Sequence, residues 1–219
     1  CSSDLKDLTK IENGERTFVT IGDTYETFAD CRFDISAAIS FAESKGFFEI
    51  HLSGHSLGGP KTAYYLRETK DPRVKSVIFM SPADMVGLAR RDINDVKDNE
   101  VANGMIAEGK GNEIMPHRVW GDAVLTPHTY LELSDPESKV NSFNFYDVSS
   151  ALPALGQIIV PAFTVMGRKD SASTIPVEDM MKRIEIAMVS SPKVHTYILS
   201  DANHSYDGYE QQLADVVCA

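Results

Sequence analysis

The string Gly54-His55-Ser56-Leu57-Gly58-Gly59 constrains this chain more than any other feature. Before it, Phe47, Phe48, Ile50 and Leu52 form an apolar run that predicts a strand; after it, residues through Thr69, with Ala63, Leu66 and the tyrosines facing a core, predict a helix. A nucleophile at a strand-to-helix junction sits on a very tight turn, so its neighbours need little or no side chain, and Gly54 and Gly58 meet that need. The turn lifts Ser56 Oγ above the strand ends. The backbone N–H of Leu57 points into the same space, at the positive end of the following helix, where it can stabilise an oxyanion.

A serine hydroxyl is a poor nucleophile near neutral pH and needs a base, which in turn needs an orienting carboxylate. Both are present downstream. The segment from Ala162 to Met166 reads as a strand and ends in Gly167-Arg168-Lys169-Asp170; that from Val194 to Leu199 reads as another and ends in Ser200-Asp201-Ala202-Asn203-His204. In a parallel sheet the loops after the strands open on one face, so Ser56, Asp170 and His204 can converge across long sequence separations. Asp84, after a strand predicted at Val74 to Met80 and stopped by Ser81-Pro82, is the alternative acid.

Strands and helices alternate through most of the chain. Helices are predicted from Cys31 to Glu43, with Ile35, Ala38, Ile39 and Ala42 at helical spacing, from Val177 to Met188 after Pro176, and from about Asp207 to Val217. Such alternation predicts an α/β fold: a mostly parallel sheet covered by helices. Residues 84–150 break the rhythm. They are charge-rich at first, hold helix-like pieces at Met85 to Arg91, Asp92 to Glu108 and Pro127 to Leu133, and carry too much apolar mass for a solvated loop. They read as an inserted helical cap between two core segments, 1–83 and 151–219, with Trp120, Phe143, Phe145 and Tyr146 expected to wall an apolar acyl or aryl pocket.

Charge and composition remove other function classes. Of 219 residues, 21 are Lys or Arg and 32 are Asp or Glu, a formal net charge of −11 with no basic run able to track a phosphate backbone, which argues against a nucleic-acid partner. The longest apolar stretch, around Ala151 to Met166, is broken by Pro153, Gln157 and Pro161 and is too short for a membrane span. Three cysteines, Cys1, Cys31 and Cys218, are an odd number without C-x-x-C spacing, which fits a reducing, cytoplasmic setting and no structural zinc. Cys1 as an N-terminal nucleophile is disfavoured by its loop-like surroundings, Ser2, Ser3 and Asp4. His117, His128 and His195 form no metal-ligand grouping, so neither metal nor cofactor is expected; His51 reads as a core or helix-facing residue, and His55 as elbow packing pointing away from the attack face.

From about Thr17 to the C-terminus the chain resembles the α/β-hydrolase family, and within it capped serine hydrolases similar to monoacylglycerol-lipase-like and feruloyl-esterase-like enzymes. The likeness rests on the elbow, on Met80-Ser81-Pro82 after a strand, on a cap following it, on Gly167-x-x-Asp170, and on Asn203-His204 before the last helix. It implies Ser56 as nucleophile, His204 as general base and acid, Asp170 as the carboxylate and Leu57 N–H as one oxyanion donor, acting on small to medium esters through an acyl-enzyme. An acyltransferase with the same triad, and a non-catalytic binding module, remain the alternative readings.

The likeness also implies a gap. Family members have several strands before the elbow, one followed by the loop that usually supplies the second oxyanion donor, and only 55 residues precede Ser56 here. The sheet is therefore expected to be incomplete at its N-terminal side, with the elbow strand exposed. Self-association, or pairing with a complementing N-terminal segment, and weak activity of this chain alone follow from that expectation.

Overall fold

In a computed structural model the described residues are 8–12, 15–19, 22–121 and 123–218, so Cys1 and the loop expected around it lie outside them. An antiparallel pair, β1 (Leu8–Glu12) and β2 (Glu15–Val19), opens the described chain in the register Leu8↔Val19 to Glu12↔Glu15. Two short 3-10 turns, Asp23–Tyr25 and Phe28–Asp30, lead into α1 (Cys31–Ser44). Alternation then begins with β3 (Ile50–His55), α2 (Gly58–Thr69) and β4 (Val74–Met80).

Residues between β4 and the next strand carry α3 (Met85–Arg91), α4 (Asp95–Ala107) and α5 (Pro127–Ser134). Each start is set locally. Asp84 caps α3 by accepting from Gly87 N–H at 2.8 Å, and Thr126 Oγ1 caps α5 with Pro127 in the first turn, where a missing N–H costs nothing. The chain returns through β5 (Ala162–Gly167), α6 (Val177–Ala187), β6 (Val194–Leu199) and α7 (Glu210–Cys218).

β3, β4, β5 and β6 form one parallel sheet in that order. This is the expected α/β architecture, with four strands in the main sheet among the described residues. Among the described residues β3 therefore has one sheet neighbour, β4.

Period-two alternation sorts the strand residues between two faces. One face is covered by α1, α2 and α6: Val77 and Phe79 of β4 and Ala162 and Met166 of β5 pack with Ile39, Tyr65, Leu66, Met180, Met181 and Ile184. The other is covered in part by α7, whose Leu213 and Val217 lean on a smaller cluster of Val165, Leu199 and Tyr206. His51 lies on that second face. It is solvent-exposed, with Nδ1 2.7 Å from Ser76 Oγ, rather than in a core, in a hollow whose lining includes Ile78, Phe163 and Val217 of α7.

Residues 84–150 build a third cluster around Val86, Ala102, Leu125, Tyr130 and Leu133, which reaches down to Leu57 and Tyr64 of the elbow region. Their return limb is tied to the sheet layer. Arg183 of α6 donates to the carbonyls of Asn144, Phe145, Asp147 and Ser150 at 2.6 to 3.1 Å. The two ends of the segment also meet, because Tyr146 N–H donates to Asp84 Oδ2 at 2.6 Å. Among the described residues no helix is long and apolar enough to cross a membrane.

Candidate active site

Ser56 follows the last residue of β3 with φ 54°, the left-handed region that a non-glycine residue occupies only when its surroundings impose it. Three main-chain bonds do so here. Ser56 N–H donates to Met80 O at 3.1 Å, and Ser56 O accepts from Gly59 N–H at 2.9 Å and Ala83 N–H at 3.1 Å.

The glycines explain how the turn closes. A Cβ on Gly54 would run into the carbonyl group of Gly58, with Gly58 C at 2.5 Å, and into Thr62 Oγ1 at 2.7 Å. Gly58 itself has open space around its missing Cβ, contrary to the steric role expected of it. The second constrained position is Gly59, where a Cβ would lie 2.7 Å from Pro82 Cβ, so the turn is wedged against the loop that follows β4.

His204 stands in the loop after β6, and its Nε2 is 3.0 Å from Ser56 Oγ. Its Nδ1 is 2.9 Å from Oδ1 of Asp170, in the loop after β5. A carboxylate only accepts, so Nδ1 carries the proton on a neutral ring and Nε2 is left to accept from the serine hydroxyl. Gly167 permits the approach of the two loops, because a Cβ there would strike the Ala202 carbonyl and come within 2.8 Å of Asn203 O.

Asp170 is buried. Burial opposes its charged form, but the His204 imidazole, the Ser81 hydroxyl and the Ala172 N–H favour it and together hold its carboxyl below the usual carboxylate value. Ser81 lies in turn 2.9 Å from Tyr206 Oη, in a buried contact behind the acid.

Asp84 is placed elsewhere. Its carboxylate accepts from Gly87 N–H, Tyr146 N–H and, at 2.9 Å, Thr174 Oγ1. Burial pushes its pKa up against those donors. It makes no hydrogen bond to His204, so the structure sets Asp170, and not the alternative acid, beside the imidazole.

Leu57 is the N-cap residue of α2, so its main chain stands at the positive end of that helix. A cavity of about 420 Å³ is lined by His55 and Leu57, the chain neighbours of Ser56, together with Tyr25, Glu26, Asp30 and Lys61, and by none of Ser56, Asp170 and His204. Lys61 and Glu26 form a part-buried ion pair at 2.7 Å. The expected aromatic wall lies elsewhere. Phe143 and Phe145 are fully buried in the main core, Phe143 packing edge-on to Phe79, because the return limb turns them under the sheet and not over the serine. Tyr146 is half exposed, and Trp120 lines a separate hollow with Leu88, Arg91 and Asp92. The polar residues of the 3-10 turns were not legible as site residues, since the sequence before Cys31 carries no motif that ties it to the elbow.

Among the described residues no group of three or more His, Cys, Asp or Glu is placed to hold a metal ion.

No protein-family model matches the chain, and no curated protein matches it. Solved structures do. Est1E from Butyrivibrio proteoclasticus matches at 16% identity and a TM-score of 0.58, over 88% of this chain and 68% of that one. A soluble variant of monoglyceride lipase from Saccharomyces cerevisiae, in complex with a substrate analog, matches at 12% identity and a TM-score of 0.55, over 90% and 68%. An esterase from Pyrococcus furiosus matches at 16% identity and a TM-score of 0.50, over 85% and 58%. The chain thus spans between 58 and 68% of the length of these structures.

Proposed function

We propose that this chain, which has the α/β-hydrolase fold, is a serine hydrolase that cleaves small to medium carboxylic esters through an acyl-enzyme. One observation carries the reading: Ser56 Oγ, His204 and Asp170 form a continuous line of hydrogen-bonding atoms at 3.0 and 2.9 Å, on a nucleophile held at positive φ.

In this mechanism Ser56 Oγ attacks the ester carbonyl carbon while His204 Nε2 takes the hydroxyl proton. The tetrahedral oxyanion is stabilised by Leu57 N–H at the head of α2. The imidazolium, steadied by ionised Asp170, gives its proton to the leaving alcohol as the C–O bond breaks. Water then attacks the acyl-enzyme carbonyl with His204 as base, and the proton taken from that water passes to Ser56 Oγ as the ester bond to the serine breaks and the acid leaves. Asp170 supports each step by holding the ring in one tautomer and balancing its charge.

Residues 84–150 act as the cap in this reading, with Leu57 and Tyr64 packed against its underside. The cavity lined by His55 and Leu57 would receive one part of the ester. Its volume suits a short chain or small ring, and its mixed polar lining favours esters of modest apolarity.

Labelling with a fluorophosphonate tests the reading. Covalent modification is expected at Ser56, and it should vanish in Ser56→Ala and fall steeply in His204→Ala. Full labelling of either variant, or none of the unaltered chain, overturns it.

A further inference from the structure

The residue before the nucleophile has a role that elbow packing alone does not describe. His55 ends β3, and its Nε2 stands 2.8 Å from the backbone carbonyl oxygen of His204. A carbonyl only accepts, so Nε2 of His55 carries the proton and donates it. The two imidazole rings lie with centroids 4.9 Å apart, tilted by 42°, and the His55 ring is 6.0 Å from that of Tyr206.

The topology gives this contact its weight. β3 and β6 are separated in the sheet by β4 and β5, so backbone pairing sets the distance between Ser56 and His204 only indirectly, through two intervening strands. The rest of the loop after β6 is held by its own residues, by β5 and its loop, and by Ser81 beyond β4: Tyr206 N–H donates to Asn203 O, Asn203 Nδ2 to Asp207, Lys169 N–H to Ala202 O and Tyr206 Oη to Val165 O, while Ser81 Oγ lies 2.9 Å from Tyr206 Oη. These bonds tie the base to the acid side of the site. The bond from His55 runs directly from the strand that carries the serine to the main chain of the base loop, one residue from Ser56 itself.

We infer that His55 is a positioning residue, whose ring N–H fixes the His204 main chain relative to β3 and thereby sets the Ser56–His204 contact. It touches no reacting atom. The inference rests on the proposed hydrolase reading for its kinetic consequence, though not for the bond itself. Misplacement of a catalytic group by a fraction of an ångström lowers the rate of the bond-making step more than it lowers binding, so the effect belongs in the acylation rate.

Two substitutions separate this role from packing. His55→Phe keeps a ring against His204 and Tyr206 but removes the donor, and His55→Gln keeps a donor while losing the ring. Measured as fluorophosphonate inactivation, His55→Phe is expected to lower the maximal rate of Ser56 modification by about ten- to a hundred-fold with the half-saturating concentration nearly unchanged. His55→Gln should recover most of that loss. Equal rates for His55→Phe and the unaltered chain, or equal losses for Phe and Gln, overturn the inference.

Hydrogen exchange over residues 203–206 supplies a second reading that needs no reaction at Ser56. His55→Phe should speed exchange there and His55→Gln should not; unchanged exchange in His55→Phe overturns the tie. Absence of labelling in the unaltered chain together with faster exchange in His55→Phe would overturn the hydrolase reading and leave the tie standing.

Discussion

His204 Nδ1 lies 2.9 Å from Asp170 Oδ1, so a residue of the loop after β6 is oriented by a residue of the loop after its neighbour, β5. The contact decides which ring nitrogen faces the serine. In Asp170→Asn the amide can offer an N–H to Nδ1 and favour the opposite tautomer, which leaves Ser56 without an acceptor. The expected result is a fall in kcat of about 10³ to 10⁴ with KM changed little, read by steady-state hydrolysis of a short-chain nitrophenyl ester. A loss below tenfold would assign the acid role to another residue.

Asp84 gives the contrasting case. Its oxygens accept from Gly87, Tyr146 and Thr174, and none of these bonds involves the imidazole. Asp84→Asn can satisfy only part of that set, since its Nδ2 cannot accept. It is expected to cost about 2 to 3 kcal/mol of stability, seen as a lower urea midpoint, while kcat stays within a few-fold. A kcat loss as deep as that of Asp170→Asn would contradict the assignment.

Gly54→Ala puts a methyl group into the Gly58 carbonyl and against Thr62 Oγ1. Backbone cannot yield cheaply, so the turn carrying Ser56 must shift. Loss of esterase activity is expected to exceed loss of secondary structure by circular dichroism, whereas Gly58→Ala, with open space around it, should be far milder.

Asp71 supplies a pH test away from the site. The Arg73 side chain, opposed by burial and aided by the Tyr65 hydroxyl, holds its carboxyl well below the usual range. A carboxylate with a depressed folded pKa stabilises the protein above its unfolded pKa of about 3.9, and loses that contribution as pH falls toward the folded pKa. Asp71→Asn should therefore cost about 2 kcal/mol near neutral pH, with the gap from the unaltered chain closing only below about pH 4. Urea titrations at pH 7 and pH 3 read the difference, and an equal gap at both would refute it.

Among the described residues β3 has one sheet neighbour, and its other side is expected to promote self-association. Phe47 and Phe48, which lead into that strand, are 65% and 68% exposed, and Phe41 of α1 is 63% exposed. An unpaired strand flanked by such side chains is a docking template for another copy. Light scattering should show mass rising with protein concentration, and Phe47→Asp with Phe48→Lys should suppress it. A strictly monomeric unaltered chain would refute the expectation.

Much of this architecture was legible where the chain states its own boundaries. β4 runs from Val74 to Met80 as expected, because a β-branched and aromatic run is stopped by Ser81-Pro82, and the elbow declares itself through glycines at a strand-to-helix junction. The antiparallel pair at Leu8–Glu12 and Glu15–Val19 was not anticipated, although Asn13-Gly14 between two alternating runs is a strong hairpin signal. Asp84 and Asp170 both follow parallel strands, so only the donors around each carboxylate could separate a structural acid from the partner of His204. Phe143 and Phe145 were misplaced for a related reason: apolar mass predicts burial but not which core receives it.

The clasp between Asp84 and Tyr146 joins two points 62 residues apart at the ends of the segment 84–150. With the clasp shut, the ends of that segment are fixed whatever lies between them, and a longer or shorter interior adds little closure entropy. The interior of that segment is thus free to diverge in shape and chemistry, while the loops that hold the serine, imidazole and carboxylate keep their dimensions.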